Sequence, residues 1–135
     1  MPPSKSDTHL TPDEVHEVIL SVWELDSRKM FDPCPANADF DGLKIGWEDW
    51  NYVNPPYGKI KGERKTLLSQ FVTKAIHELE TFNHKSIMLL PSKTDQDWYH
   101  ELVRHGYGIY WFDHRLRFKN NKWSATQPHF MVMIK

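Results

Sequence analysis

The 135-residue sequence predicts an α/β fold: a mostly parallel sheet with helices on both faces, closed by an antiparallel pair of C-terminal strands. Three observations predict it. Segments with helical apolar spacing alternate with short extended runs, the order expected of strand–helix units. The run Ser86-Ile87-Met88-Leu89-Leu90, closed by Pro91, is apolar throughout its centre, as in a strand covered on both faces. The last two extended segments follow each other with no helix between them, which favours antiparallel pairing. The length suits one domain, expected over residues 11–135 behind a polar, flexible stretch at residues 1–10.

The elements follow in order. Thr11 can cap a helix, Pro12 suits its first position, and Glu14 stands three residues after Thr11 as in a capping box. Val15, Val18, Ile19, Val22 and Trp23 then recur at helical spacing, so the pattern predicts a helix over 12–24 with that face inward. Lys29-Met30-Phe31 reads as a brief strand stopped by Asp32-Pro33-Cys34-Pro35, and residues 36–49 as an ordered loop. Trp50-Asn51-Tyr52-Val53 is a second short strand, broken at Asn54-Pro55-Pro56. Residues 58–65 form an exposed basic connection. Leu67, Leu68, Phe71, Val72, Ala75, Ile76 and Leu79 make one continuous helical stripe. A further helix near 95–105 should turn Trp98, Tyr99, Leu102 and Val103 inward, with Asp95 as its cap. Strands are expected near 108–113 and 128–134.

Composition narrows the function classes. The net charge of −1 provides no global field for nucleic acid, so any such contact must come from local Lys and Arg clusters. The single cysteine, Cys34, excludes an internal disulfide and suits a reducing, cytoplasmic setting. No apolar run approaches the roughly 20 residues that span a bilayer, and the N-terminal stretch lacks the apolar region of a signal peptide.

Asn54-Pro55-Pro56-Tyr57 carries the chemistry. It sits directly after a strand, where open sheets place their ligands. An exocyclic ring amine is a weak nucleophile because its lone pair is delocalised. The Asn54 side-chain oxygen and the Pro55 carbonyl can each accept one of its N–H groups, pulling the nitrogen toward tetrahedral geometry. Proline backbones fix φ and offer no competing N–H. Tyr57 presents a flat face on which an extruded base can stack, worth roughly 1–3 kcal/mol. A plain turn would account for the prolines, but not for the tyrosine or the strand in front.

In order along residues 11–134, Thr11-Pro12, Phe31-Asp32-Pro33-Cys34-Pro35, Asp41-Gly42-Leu43, Val53-Asn54-Pro55-Pro56-Tyr57-Gly58, Leu90-Pro91-Ser92-Lys93-Thr94-Asp95 with Trp98, and Arg115-Leu116-Arg117-Phe118 resemble the phage-type DNA N6-adenine methyltransferases. The resemblance implies a reduced Rossmann-like methyltransferase fold, S-adenosylmethionine as cofactor and double-stranded DNA as substrate. It also implies a setting in a bacterial or phage-infected cell, modifying DNA against restriction. Asn54, Pro55, Pro56 and Tyr57 would be the catalytic motif. Asp32, Pro33 and Cys34 would form the cofactor loop, with Thr11 and Pro12 flanking it. The chain lacks the glycine-rich F-x-G-x-G loop common in methyltransferases. Asp32 and Asn54 are only 22 positions apart, too close for two strand–helix units. The acid that binds the cofactor ribose is therefore a choice among Asp39, Asp41, Glu48 and Asp49, with Asp41 preferred.

Lys59, Lys61, Arg64 and Lys65 follow the motif and could grip phosphates; Arg115 and Arg117, alternating with Leu116 and Phe118, fit a strand with one charged face. Asp95, Asp97 and His100 read as helix-start residues rather than metal ligands, Asp113-His114 as a strand end, and Cys34 as a packed thiol. No metal is expected. Three alternatives stay open: an RNA or protein-amide methyltransferase, a non-catalytic binding descendant, and a subunit that needs a recognition partner or a second copy.

Overall fold

Helix α1 (Asp13–Trp23) starts immediately after Pro12, whose extended backbone and carbonyl launch the first turn (Val15 N–H to Pro12 O, 3.1 Å). The computed structural model describes residues 10–119 and 127–135. Asp13 and Glu14 place negative charge at the positive end of α1. Thr11 makes no capping bond, contrary to the capping-box expectation, because its hydroxyl is directed to Tyr52 and Asn54 instead. Val15 and Ile19 are buried, and Val18 and Trp23 pack partly against them. Val22, expected inward, is 46% exposed, since the buried stripe of this helix ends at Ile19.

The short strand expected at Lys29-Met30-Phe31 is not formed. Ser27–Lys29 close into one 3₁₀ turn capped by Asp26, and Asp32-Pro33 follow at once. Only Phe31 is left to pair, as a single parallel bridge to Asn51. Residues 32–49 then run through turns and bends with neither helix nor strand.

Among the described residues the sheet has four strands in the order β1-β2-β4-β3: β1 (Trp50–Val53), β2 (Lys85–Pro91), β3 (Gly108–Trp111) and β4 (His129–Ile134). β1 and β2 are parallel; β2–β4 and β3–β4 are antiparallel. The α/β class and the antiparallel C-terminal pair stand, but the sheet is mixed rather than mostly parallel. The reason is visible in the chain: no strand forms between Phe31 and Trp50, and β4 returns to the interior beside β2.

Successive residues of β2 serve opposite faces. Met88 and Leu90 join Val53, Phe130, Val132 and Ile134 beneath α2 (Leu67–Phe82) and α3 (Asp97–His105), which contribute Phe71, Val72, Ala75, Trp98 and Leu102. Ile87 and Leu89 join Tyr52 and Met131 beneath Val15 and Ile19 of α1. Helices therefore cover both faces. α2 is capped by Thr66, which accepts from Ser69 N–H at 3.1 Å. α3 is preceded by Gln96 rather than capped by Asp95, and Val103, expected inward, is 48% exposed beyond the Trp98–Leu102 stripe. Among the described residues the segment 115–118 pairs with no strand, although the alternation holds: Leu116 and Phe118 are buried under the α1 face, and Arg115 and Arg117 are exposed. Of the stretch expected to be flexible, Leu10 is held by Lys119 N–H on its carbonyl at 3.1 Å; residues 1–9 lie outside the described residues.

Candidate active site

Asn54 leaves the C-terminal end of β1 and is 5% exposed, with Pro55 and Pro56 buried behind it. Its Nδ2 donates to Thr11 Oγ1 at 3.2 Å, and that hydroxyl shares a 2.9 Å hydrogen bond with the phenol of Tyr52. With the amide nitrogen directed to Thr11, Oδ1 is the accepting end of the side chain. The backbone carbonyl of Asn54 takes the Cys34 thiol at 3.3 Å, and Cys34 N–H donates to Asp32 Oδ1 at 2.9 Å. Thr11, Asp32, Cys34 and Asn54 are thus joined in one hydrogen-bonded cluster, although 43 positions separate Thr11 from Asn54. Pro12 and Pro33 are buried beside it.

The loop that carries Pro33 is packed against Gly42. A Cβ at that position would lie 1.9 Å from the Pro33 carbonyl oxygen, so no larger residue fits without moving the loop. Asp41, the preferred ribose acid, uses Oδ1 to accept from Leu43 N–H at 3.0 Å and shapes this turn. Glu48 and Asp49 line a separate cavity of about 590 Å³ with Trp50, at the opposite end of β1 from Asn54. The structure does not bring those two acids to the Asn54 cluster.

Burial dominates the electrostatics. It raises the Asp32 carboxyl above its ordinary value against the hydrogen bond from Cys34. It pushes the Cys34 thiol well up, reinforced by the Asp32 charge, so Cys34 is a neutral donor and not a thiolate nucleophile. The phenols of Tyr52 and Tyr57 are likewise raised by burial and stay protonated.

A cavity of about 400 Å³ opens beside the cluster, lined by Leu10, Thr11, His16, Ser27, Arg28, Met30, Asp32, Tyr52 and Lys119. Thr11 and Asp32 were expected at such a site from the sequence; His16, Arg28, Tyr52 and Lys119 were not. His16 Nδ1 and Ser27 Oγ are 2.6 Å apart, and the ring tilts against Tyr52 with centroids 5.1 Å apart. Burial, then the charges of Arg28 and Lys119, lower the His16 value and favour the neutral ring. Arg28 and Lys119 both reach Asp13, at 3.1 and 2.7 Å. Two cations share that one carboxylate. No motif marks Arg28 or Lys119, because the 3₁₀ turn and Lys119 reach the cavity only in the folded chain.

Tyr57 is half-buried, and its hydroxyl meets His129 Nε2 at 2.8 Å. Lys59, Lys61, Arg64 and Lys65 are exposed on the connection that follows. Lys59, Arg64 and Lys65 line a groove of about 540 Å³ shared with the start of α2 and with Asp97, Trp98 and Glu101 of α3; Lys61 lies outside that lining. Arg115 and Arg117 are exposed on the 112–118 segment and do not line that groove. Asp113 is also exposed there, paired at 2.8 Å with His114, which reaches Glu14 at 2.9 Å. Among the described residues no three His, Cys, Asp or Glu side chains are grouped to hold a metal ion, and no helix is long and apolar enough to cross a membrane.

A family model described as DNA N-6-adenine-methyltransferase (Dam) matches residues 2–130 of the chain. Among curated proteins nothing matches.

Proposed function

Because the chain belongs to the DNA N-6-adenine-methyltransferase (Dam) family, we propose that it transfers methyl from S-adenosylmethionine to N6 of an adenine turned out of double-stranded DNA. The observation that carries this reading is the cluster joining Asn54 to Thr11 and to Asp32-Pro33-Cys34. It sets the residues suited to activating an amine against those suited to a cofactor.

The cavity beside Asn54 fits such a cofactor in size and charge. About 400 Å³ lies within the roughly 300–1,000 Å³ usual for small-molecule sites. Asp32, whose carboxyl is raised by burial, gains from a cationic group laid against it. Among the described residues Arg28 and Lys119 share the one carboxylate of Asp13, which leaves positive charge for a further carboxylate. An α-amino acid end group carries that pair of charges. Thr11, Asp32, Arg28 and Lys119 would hold it, and Tyr52 and His16 would wall the cavity. When bound, S-adenosylmethionine supplies a methyl group activated by its sulfonium charge.

The chain's own residues do the rest. Asn54 Oδ1 and the Pro55 carbonyl accept the two N6–H groups of adenine and free the nitrogen lone pair. Thr11 and the Cys34 thiol hold the Asn54 amide and carbonyl, so little reorganisation accompanies reaction. Tyr57 supports the extruded base by stacking. Lys59 and Arg64, with Lys61 and the Arg115–Arg117 segment, contact phosphates. A second reading, a DNA-binding protein without transfer, draws on the strandless stretch 32–49, where a methyltransferase usually has more sheet.

The test is transfer of labelled methyl from S-adenosylmethionine to unmethylated DNA, RNA and protein in parallel, followed by nucleoside analysis. N6-methyladenine in DNA is the expected product, and Asn54→Ala should abolish it while leaving the fold intact. Failure to bind S-adenosylhomocysteine would select the second reading, while label in RNA or protein alone would reassign the substrate.

A further inference from the structure

His129 is the first residue of β4 and is 1% exposed, yet it is titratable and the mechanism above makes no use of it. Its backbone is fixed on both sides, opposite Pro91 of β2 and accepting Phe112 N–H at 3.2 Å. Its side chain is equally constrained. Nδ1 lies 3.2 Å from the Gln127 carbonyl, which can only accept, so Nδ1 carries the ring proton. The Tyr57 hydroxyl, kept protonated by burial, lies 2.8 Å from Nε2 and can donate to it. Phe118 closes the arrangement edge-on, its ring 5.2 Å from the imidazole.

One buried imidazole therefore touches the tyrosine of Asn54-Pro55-Pro56-Tyr57 and the last residue of Arg115-Leu116-Arg117-Phe118, beside the end of β2. We propose that His129 is a positioning residue for Tyr57, fixing the plane of its ring before DNA arrives; this rests on the functional reading above. A half-buried tyrosine held only by packing turns about its side-chain bonds. A hydroxyl anchored to an immobile strand removes that freedom, and the ordering is completed in folding rather than at each encounter with substrate. The burial that keeps the phenol protonated also leaves it able to donate in this bond.

Three substitutions test this. Tyr57→Phe removes the hydroxyl and keeps the ring. His129→Leu keeps apolar volume without an acceptor, and His129→Gln returns an acceptor close to the Nε2 position. On unmethylated plasmid DNA, Tyr57→Phe and His129→Leu should each lower kcat by about three- to tenfold, the worth of one hydrogen bond. The double variant should be no slower than the slower single, His129→Gln should recover most of the rate, and affinity for S-adenosylhomocysteine should be unchanged throughout. In protein carrying ¹⁵N-histidine, the His129 ring should show the Nδ1–H tautomer, with an Nε2 signal that moves in Tyr57→Phe. This measurement, with the Phe and Gln variants, carries the test if the Leu variant does not fold. Losses that multiply in the double variant, or an Nε2 signal indifferent to Tyr57→Phe, overturn the positioning role while the activity stands. No transfer by the unsubstituted chain overturns the functional reading and the role with it.

Discussion

Thr11 shows how one hydroxyl can be worth more to a site than to the helix it precedes. Left uncapped, α1 relies on Pro12 and its two acidic residues, while Thr11 holds both the Asn54 amide and the Tyr52 phenol. Thr11→Val keeps the shape and removes the oxygen that both the Asn54 amide and the Tyr52 phenol bond to, which costs about 1–3 kcal/mol. Denaturant melts should show that loss, and kcat should fall further than the melt alone explains, because Asn54 loses its orientation. Gly42→Ala acts through contact instead. The added carbon collides with the Pro33 carbonyl, so the Asp32-Pro33-Cys34 loop must move. We expect about 1–3 kcal/mol of destabilisation and weaker S-adenosylhomocysteine binding by calorimetry; unchanged affinity would separate that loop from the cofactor. At this scale the sequence was readable where partners are close together. Asn54, its prolines and Tyr57 announce themselves in four adjacent letters. Tyr52, which meets Thr11 across 41 positions, and His129, which meets Tyr57 across 72, gave no local sign.

Between elements, the least regular part of the chain is held by the most polar point of a helix. The side chain of Glu78 on α2 is 1% exposed and accepts from Trp47 N–H at 2.9 Å, from His84 Nδ1 at 2.9 Å and from Lys74 Nζ at 3.1 Å. Burial alone would raise its carboxyl, but the bonds from His84, Trp47 and Lys74 outweigh it and hold the value below the ordinary one. A depressed carboxylate contributes stability that is complete above its unfolded value, about 4.3, and drains as pH falls through the folded value. Glu78→Ala should therefore cost about 3–5 kcal/mol at pH 7, by leaving Lys74 and the Trp47 amide without their acceptor. Glu78→Gln should flatten the decline in thermal stability between neutral pH and pH 3; an unaltered acid limb would show that other carboxylates govern it. The elements themselves were legible where periodicity was long: α2 matches its stripe, and β1 and β2 fall where their apolar runs end at proline. The strand expected at Lys29-Met30-Phe31 was lost because a 3₁₀ turn consumes the residues before Phe31 and a proline removes the donor after it. Val22 and Val103 show the same limit in helices, where spacing identifies a face but not how far the neighbouring sheet extends beneath it.

For the whole molecule, a net charge of −1 leaves any attraction to DNA to local cations. Lys59→Gln and Arg64→Gln should each reduce the slope of log affinity against log salt by about one, and weaken binding evenly across sequences. An unchanged slope would remove the groove between α2 and α3 from the DNA contact. The fold class could be read from alternation of elements, but the mixed sheet could not, because pairing order is a property of long-range contacts. That order has a consequence in time. β4 is the last element along the chain yet lies between β2 and β3, so among the described strands β3 has no neighbour until β4 arrives. The strand that completes the sheet also delivers His129 to Tyr57. Pairings of such wide separation in sequence close slowly, since chain entropy must be surrendered before the contacts form. The helices and the β1–β2 pair can form first, whereas the contact between Tyr57 and His129 waits for β4.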